Sequence, residues 1–177
     1  MKRLSENLNS IEHKTVIVRC NFDVPIQNGV VEDTTRIEDA IETIKQLRQY
    51  QAKVVLLAHY DRPDGKFDPQ KSLKPIVPIL EKLVGEPINF VKYNQDYTQL
   101  KINPDHSISL VDNLRFWDQE EENDPAFGQY LASLGEVYVN QAFANCHREH
   151  ASIVGIPKHL PHFAGINLAK EIDILSK

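Results

Sequence analysis

The sequence predicts a Rossmann-like α/β domain of three layers (α/β/α), with a mainly parallel sheet between two layers of helices. Short apolar runs alternate with longer segments of helical periodicity, which is the order typical of parallel α/β proteins. Several of these runs are nearly continuously apolar, as expected of strands covered on both faces. The 177 residues are 41% hydrophobic and 25% charged, a composition that supports one full hydrophobic core.

Five strands are predicted where apolar and β-branched residues cluster. Their ranges are 15–20, 53–59, 88–91, 107–113 and 136–140. Helical segments separate most of them, and right-handed crossovers between such strands produce a parallel sheet. No repeat, low-complexity tract or linker interrupts the pattern, so residues 1–177 are predicted to form one domain.

Four helices are predicted, over residues 34–51, 72–85, 124–135 and 166–177. The first begins at a threonine cap and places Ile37, Ile41 and Ile44 on one face. In the second, Pro78 predicts either a kink or a later start. Asp124 is expected to cap the third helix, and glycines at 85 and 135 to end the second and third.

Charge and cysteine content exclude several classes of protein. A net charge of −5 argues against non-specific binding to nucleic acid or to an anionic membrane. Cys20 and Cys146 form neither a disulfide framework nor a cluster with zinc spacing, so we expect no metal site. Residues 1–10 lack a signal-peptide core, and no apolar run approaches the roughly 20 residues of a membrane span. We therefore expect a soluble cytoplasmic protein, and a monomer.

Cationic side chains recur where the predicted strands end. His59 ends the second strand and Arg62 follows it, Arg115 follows the fourth, Arg148 follows the fifth, and Arg36 opens the helix after the first. Ligands of open parallel sheets bind beyond the carboxyl ends of the strands. Arginine binds carboxylate and phosphate oxygens bidentately, so this edge suits a compact ligand that carries both groups.

Each residue taken alone also has a structural explanation. An arginine after a strand commonly forms a surface salt bridge, and Asn21 and Asp23, after the first strand, are typical turn residues. The acidic run 120–124 is most simply a solvated start to a helix. The recurrence at successive strand ends favours the functional interpretation. The seven glycines form neither a GxGxxG nor a GxxxxGK[ST] pattern, which disfavours a nucleotide-binding domain of Rossmann type.

Several motifs resemble the N-terminal domain of phosphoglycerate kinase, in order and at the expected spacing, from about residue 14 onward. They are VIVRCNFDVP, DTTRIEDAIETI, VVLLAHYDRPDGK, SLKPIVPIL, DNLRFWDQEEENDPAF, LASLGEVYVNQAF and HREHASIVGIP. The resemblance implies a glycolytic kinase that transfers phosphoryl between 1,3-bisphosphoglycerate and ADP. It also implies that a C-terminal domain, which lies outside this chain, binds Mg-ATP or Mg-ADP. This chain by itself would then hold no nucleotide cofactor.

The resemblance also implies roles for individual residues. Arg36 would be catalytic, because the family places it nearest the transferred phosphoryl group. The residues expected to bind 3-phosphoglycerate are Asn21, Asp23, Arg36, His59, Arg62, Arg115 and Arg148. The chain alone would bind substrate without turnover. The alternative is a stand-alone, non-catalytic anion-binding or interaction module derived from that domain.

Some positions depart from the family pattern. Asn21-Phe22-Asp23 stands where Asp-Phe-Asn is usual, so the amide and the carboxylate have exchanged places. Tyr60-Asp61 replaces Leu-Gly, and Asp61 could either pair with Arg62 and weaken anion binding or face solvent. Gln141 replaces an aspartate, and residues 144–146 replace Gly-Thr-Ala.

Overall fold

The computed structural model describes residues 2–176, and a six-stranded parallel sheet lies at the centre of this range. The strands are β1 (Thr15–Arg19), β2 (Ile26–Gln27), β3 (Val30–Val31), β4 (Lys53–Leu57), β5 (Ile88–Val91), β6 (Ile108–Val111), β7 (Val137–Asn140) and β8 (His162–Ala164). The sheet has the order β5-β6-β4-β1-β7-β8, and β2 and β3 form a separate antiparallel hairpin. The predicted Rossmann-like α/β class is confirmed.

Register brings the carboxyl ends of the central strands together. Arg19, the last residue of β1, lies opposite Leu57 of β4 on one side and Asn140 of β7 on the other. All the pairings within the six-stranded sheet are parallel. The chain segments that leave β1, β4 and β7 therefore start side by side at one edge of the sheet.

The five α-helices are α1 (Thr35–Gln49), α2 (Val77–Val84), α3 (Asp118–Glu121), α4 (Pro125–Ser133) and α5 (Ile166–Leu175). Side chains of β1 alternate between two cores: Val16 and Val18 pack with α1 and α2, whereas Ile17 packs with α4 on the other face. Both faces of the sheet are therefore covered. This explains why the strands appeared as continuous apolar runs.

The ends of the predicted helices agree with the structure in most places. Asp124 caps α4 through a hydrogen bond from the amide of Phe127, and Gly85 ends α2 in the left-handed region at φ +84°. Pro78 lies in the first turn of α2, so the later start is correct and no kink is needed. The fourth predicted helix is present as α5, although Lys177 falls outside the described residues.

Gly135 has a different role from the one predicted. It lacks a left-handed conformation, and a Cβ at this position would lie 2.7 Å from Cγ1 of Ile17. The glycine is therefore required by the close approach of the chain to β1.

Several elements were not predicted from the sequence, among them the short helix α3, the β2–β3 hairpin, strand β8 and a π-helical turn. The β2–β3 hairpin turns at Asn28 and Gly29, which both have positive φ, as in a tight two-residue hairpin turn. Strand β8 has only three residues, too few to show an alternating pattern. Residues Ala151–Gly155 form a π-helical turn packed against α4, where Gly128 and Gly155 approach each other closely.

Candidate functional site

The candidate site lies at the carboxyl edge of the sheet, where the segments after β1, β4, β6 and β7 meet. We call this set of segments the cationic edge; it comprises residues 20–25, 58–63, 112–116 and 141–150 together with Arg36. Of its predicted ligands, His59 and Arg115 are buried, Asn21, Asp23 and Arg148 are partly buried, and Arg36 and Arg62 are exposed.

The main chain of Asp61 links two of the predicted ligands. Its amide donates a hydrogen bond to Oδ1 of Asp23 at 3.0 Å, and its carbonyl accepts one from Nη1 of Arg115 at 2.7 Å. Arg36 joins the same group, since its Nη1 donates to the carbonyl oxygen of Asp23. Asp23, Arg36 and Arg115 are thus connected through backbone groups of two loops, as the convergence of the strand ends predicted.

Asp61 adopts a conformation that favours glycine, with φ at +53°. Glycine, the residue that the family resemblance implies for this position, would adopt this conformation without strain. Its carboxylate lies 3.3 Å from Nζ of Lys71 and is about half exposed. Asp61 therefore pairs with a lysine, and the alternative in which it pairs with Arg62 does not occur.

Arg115 is an almost fully buried cation, only 2% exposed. Its Nε lies 3.3 Å from Glu121 Oε1 without the geometry of a hydrogen bond, and both Nε and Nη2 are enclosed without a hydrogen-bond partner. Burial lowers the pKa of Arg115, although Glu121 opposes the shift. A buried guanidinium with two unused donor atoms is costly unless an anion or water completes its hydrogen bonds.

Two residues from the segment after β7 show the same feature. Nε of Arg148 and Nδ1 of His150 are enclosed and lack hydrogen-bond partners. Both nitrogens of His150 lie 4.0 Å from glutamate oxygens, Nδ1 from Glu120 and Nε2 from Glu121. Burial, followed by the charge of Arg115, lowers the pKa of His150 to about 4. His150 was not among the predicted ligands, although the HREH motif contains it.

His59 lies within the cationic edge and is 2% exposed. Its Nδ1 is 2.6 Å from Nη2 of Arg19, and its ring packs edge-on to that of His150 with centroids 6.5 Å apart. Burial lowers the pKa of His59 well below its ordinary value, and the charges of Arg19, Arg115 and Arg148 lower it further. This histidine is therefore a neutral group among cations.

A buried polar network behind the cationic edge was missed by the sequence analysis. Arg19 Nε donates to Ser152 Oγ at 2.7 Å, and Ser152 donates through its Oγ and its amide to Glu120 at 2.5 and 2.9 Å. Glu120 is completely buried, so the prediction that residues 120–124 are a solvated start to a helix is wrong for its first residue. Helical spacing could have indicated that Glu120 faces the interior, but Ser152, which donates to it, is 32 positions away in the chain.

Asn21 and Arg36 lie at the other end of the edge, where they line a small recess with Gln141. Gln141 Oε1 accepts from Thr43 Oγ1 at 3.0 Å, and Nε2 donates to the carbonyl oxygen of Asp39 at 3.0 Å. Gln141 therefore holds helix α1 to the edge. The side chain of Arg62, like those of Asn21 and Arg148, forms no hydrogen bond or ion pair with any described residue.

An open cavity of about 560 Å³ lies elsewhere, beside β5, and is lined mainly by aromatic and proline side chains such as Phe67, Phe90 and Tyr93. None of the four arginines lines it. The cationic edge is therefore the better candidate for an anion site. Within residues 2–176, no group of three or more His, Cys, Asp or Glu side chains is placed to hold a metal ion.

The sequence was also compared with known proteins. The model of the phosphoglycerate kinase family matches residues 6–177, nearly the whole chain. The chain belongs to the phosphoglycerate kinase family. It is 41% identical over 182 aligned positions to the phosphoglycerate kinase of Finegoldia magna, covering 99% of this chain and 46% of that protein. It is 44% identical over 165 positions to the phosphoglycerate kinase of Maricaulis maris, covering 92% of this chain and 41% of that protein.

Solved structures give the same assignment. The phosphoglycerate kinase of Coxiella burnetii superposes with a TM-score of 0.85 at 30% identity, over 94% of this chain and 42% of that one. That of Pyrococcus horikoshii superposes with a TM-score of 0.82 at 25% identity, over 99% of this chain and 45% of that one. The chain thus spans less than half the length of these phosphoglycerate kinases. In its described part, no helix is long and apolar enough to cross a membrane.

Proposed function

We propose that this chain is the N-terminal, substrate-binding half of a phosphoglycerate kinase, and that it binds 3-phosphoglycerate or 1,3-bisphosphoglycerate at the cationic edge. Membership of the family supports the proposal. The observation that carries it is the set of enclosed nitrogens without partners on Arg115 and Arg148. Guanidinium groups in this state are suited to the oxygens of a phosphate or carboxylate.

The ligand's two ends require different partners. Arg36, Arg62, Arg115 and Arg148 supply charge for the phosphate and the carboxylate, and His59 adds a further polar contact. Asp23 is an acceptor only, so it suits the hydroxyl group of the substrate, whereas the amide of Asn21 can donate to the carboxylate. The exchange of amide and carboxylate around Phe22 therefore keeps both functions at the site.

Phosphoryl transfer would be completed by groups outside this chain. Mg-ATP or Mg-ADP would be bound by a C-terminal domain, and this half contributes substrate positioning and positive charge. Arg36 is the catalytic residue of the proposal, because a guanidinium beside the transferred group stabilises charge on its equatorial oxygens. No protein group forms a covalent intermediate.

Titration with 3-phosphoglycerate tests the binding step, followed by NMR shifts or by calorimetry. Glycerol 3-phosphate, which lacks the carboxylate, and glycerate, which lacks the phosphate, are the matched control ligands. We expect 3-phosphoglycerate to bind more tightly than either, with shifts confined to the cationic edge. No response at millimolar 3-phosphoglycerate would contradict the proposal.

A coupled kinase assay tests the need for a second domain. We expect no ATP-dependent turnover by residues 1–177, and appreciable turnover would be inconsistent with the proposal. The stand-alone, non-catalytic anion-binding or interaction module is the alternative. A reading frame that continues beyond Lys177 into a glycine-rich loop would exclude this alternative, whereas an immediate stop codon would favour it.

A further inference from the structure

Arg19 is a completely buried arginine at the end of the central strand β1. All three of its nitrogens have partners: Nη1 donates to the carbonyl of Cys20, Nε to Ser152 Oγ at 2.7 Å, and Nη2 lies 2.6 Å from Nδ1 of His59. Its orientation is therefore defined on every side. The proposed function above assigns it no contact with substrate.

The chemistry of this contact determines where His59 carries its proton. A guanidinium has only donor atoms and stays protonated in proteins, so it cannot accept a hydrogen bond from an imidazole. Nδ1 of His59 must therefore be the acceptor, with its lone pair directed at Arg19. A neutral imidazole that accepts at Nδ1 carries its hydrogen on Nε2.

Nε2 of His59 is the nitrogen left for a ligand. It has no hydrogen-bond partner among the described residues, and the ring that carries it lies within the cationic edge, beside the ring of His150. The charged and titratable groups that act on the ring are Arg19, Arg115, Arg148 and His150. All of them are cationic or can become so, and none is a carboxylate that would favour a charged imidazole.

The network behind Arg19 holds this arrangement in place. Ser152 Oγ accepts from Arg19 Nε and donates to Glu120 Oε1 at 2.5 Å, while the Ser152 amide donates to Oε2 at 2.9 Å. Glu120 is completely buried; burial raises the pKa of its carboxyl group, and the charge of Arg19, which Ser152 links to it, opposes that shift. The guanidinium is thus anchored from the side opposite His59, which is the support expected for a residue that orients another.

We infer that Arg19 is a positioning residue that fixes His59 as the neutral Nε2–H tautomer, so that His59 meets an anionic ligand as a hydrogen-bond donor and not as a cation. The contact with the ligand rests on the proposed function. The tautomer itself does not, because the ligand-free geometry determines it.

Nitrogen-15 NMR of the ligand-free chain, labelled at histidine, tests the tautomer directly. We expect a pyridine-type signal for Nδ1 and a pyrrole-type signal for Nε2, unchanged between about pH 5 and pH 8. A proton on Nδ1, or protonation of the ring within that range, would overturn the inference. This measurement stands even if 3-phosphoglycerate fails to bind, so failure of the proposed function can be distinguished.

Variants at position 19 test whether Arg19 is the cause. R19K keeps a donor, and we expect it to retain the Nε2–H tautomer and to bind 3-phosphoglycerate within about threefold of the parent chain. R19M removes the donor, and we expect mixed tautomers and about a tenfold loss of affinity. Should R19M not fold, the nitrogen-15 spectra of R19K and of the parent chain test the tautomer of His59. A pure Nε2–H tautomer in folded R19M would refute the role of Arg19.

Two variants at position 59 separate a neutral donor from a charge. Gln supplies a neutral N–H near the position of Nε2, whereas Phe supplies none. We expect H59Q to bind 3-phosphoglycerate at least about fivefold more tightly than H59F, because only the glutamine retains a hydrogen bond to the anion. Equal losses in H59Q and H59F would show that the hydrogen bond is not the contribution of His59.

Discussion

The amide of Asp61 donates to the carboxylate of Asp23 at 3.0 Å, which joins the loop after β4 to the loop after β1. The same residue provides its carbonyl to Arg115. A position that links two ligand-bearing loops through its backbone tolerates changes of side chain more readily than changes of conformation. The left-handed conformation of Asp61 makes this distinction testable.

Replacing Asp61 with glycine should preserve the fold and improve anion binding. Glycine adopts φ near +53° without strain, and the ion pair that it removes, with Lys71, is only partly buried. We expect the free energy of unfolding to stay within about 1 kcal/mol of the parent value. Loss of one negative charge near the site should raise affinity for 3-phosphoglycerate about two- to threefold, measured by calorimetry.

Gln51→Gly is the matched control for this variant. Gln51 has φ at +56° and lies just before β4, at the opposite edge of the sheet. The Gln51→Gly variant should show the effect of glycine on the backbone with no change in affinity for 3-phosphoglycerate. An equal gain in affinity in both variants would show that the charge of Asp61 is irrelevant.

Removal of Arg36 or Arg148 should weaken binding much more than stability. Arg36 is exposed, and Arg148 has an enclosed nitrogen without a partner, so neither contributes much to the ligand-free fold. A charge-assisted hydrogen bond contributes roughly 1.5–3 kcal/mol, so R36A and R148A should each lose tenfold or more in affinity. Calorimetry measures the affinity and urea denaturation measures the stability.

Arg48 provides the opposite control from the other end of α1. It pairs with Glu86 at 3.0 Å and donates to the carbonyl of Ala52 at 2.5 Å, far from the cationic edge. R48A should therefore lower stability by about 1 kcal/mol and leave affinity unchanged. If R36A and R148A bind as the parent does, those two arginines are ordinary surface residues.

Acid should destabilise the chain partly through His150. Its pKa is lowered to about 4 in the folded state, against an ordinary value of 6.5, so the unfolded chain binds more protons between these values. Stability contributed by neutral His150 is present above pH 6.5 and is lost as the pH falls toward about 4. H150Q should therefore flatten the dependence of unfolding free energy on pH in this window, measured by urea denaturation.

His159 is exposed and serves as the control position. H159Q removes an exposed histidine instead of a buried one, so its comparison with H150Q isolates burial as the cause. Parallel curves for H150Q and the parent would show that His150 titrates normally in the folded protein.

Gly165 is required because Gln141 occupies the space beside it. A Cβ at position 165 would lie 1.8 Å from Gln141 Oε1, which is hydrogen-bonded to Thr43. G165A should therefore displace a buried amide and cost about 1–3 kcal/mol of stability. Measured by urea denaturation, the double variant G165A/Q141A should lose less than the sum of the two single losses. Strictly additive losses would contradict this explanation.

Much of the architecture followed from local patterns. The continuous apolar runs predicted β1, β4 and β7, and the alternation with helical segments predicted that their carboxyl ends would share one edge. The roles of His59 and the arginines at this edge were inferred from their positions and from the family resemblance, and they stay predictions until binding is measured. Strand β8 and the π-helical turn at Ala151–Gly155 were missed because packing, and not periodicity, defines them.

The sequence alone determined the fold class, the family and the edge of the sheet where cations gather, since each depends on patterns within a few residues. Only the tertiary structure decided how those cations are held. Arg19 and Ser152 are 133 positions apart, and Ser152 and Glu120 are 32 apart, so no local pattern shows that they form one buried network. Burial makes these contacts necessary, because a charge removed from water is costly unless the folded chain surrounds it with hydrogen-bond partners.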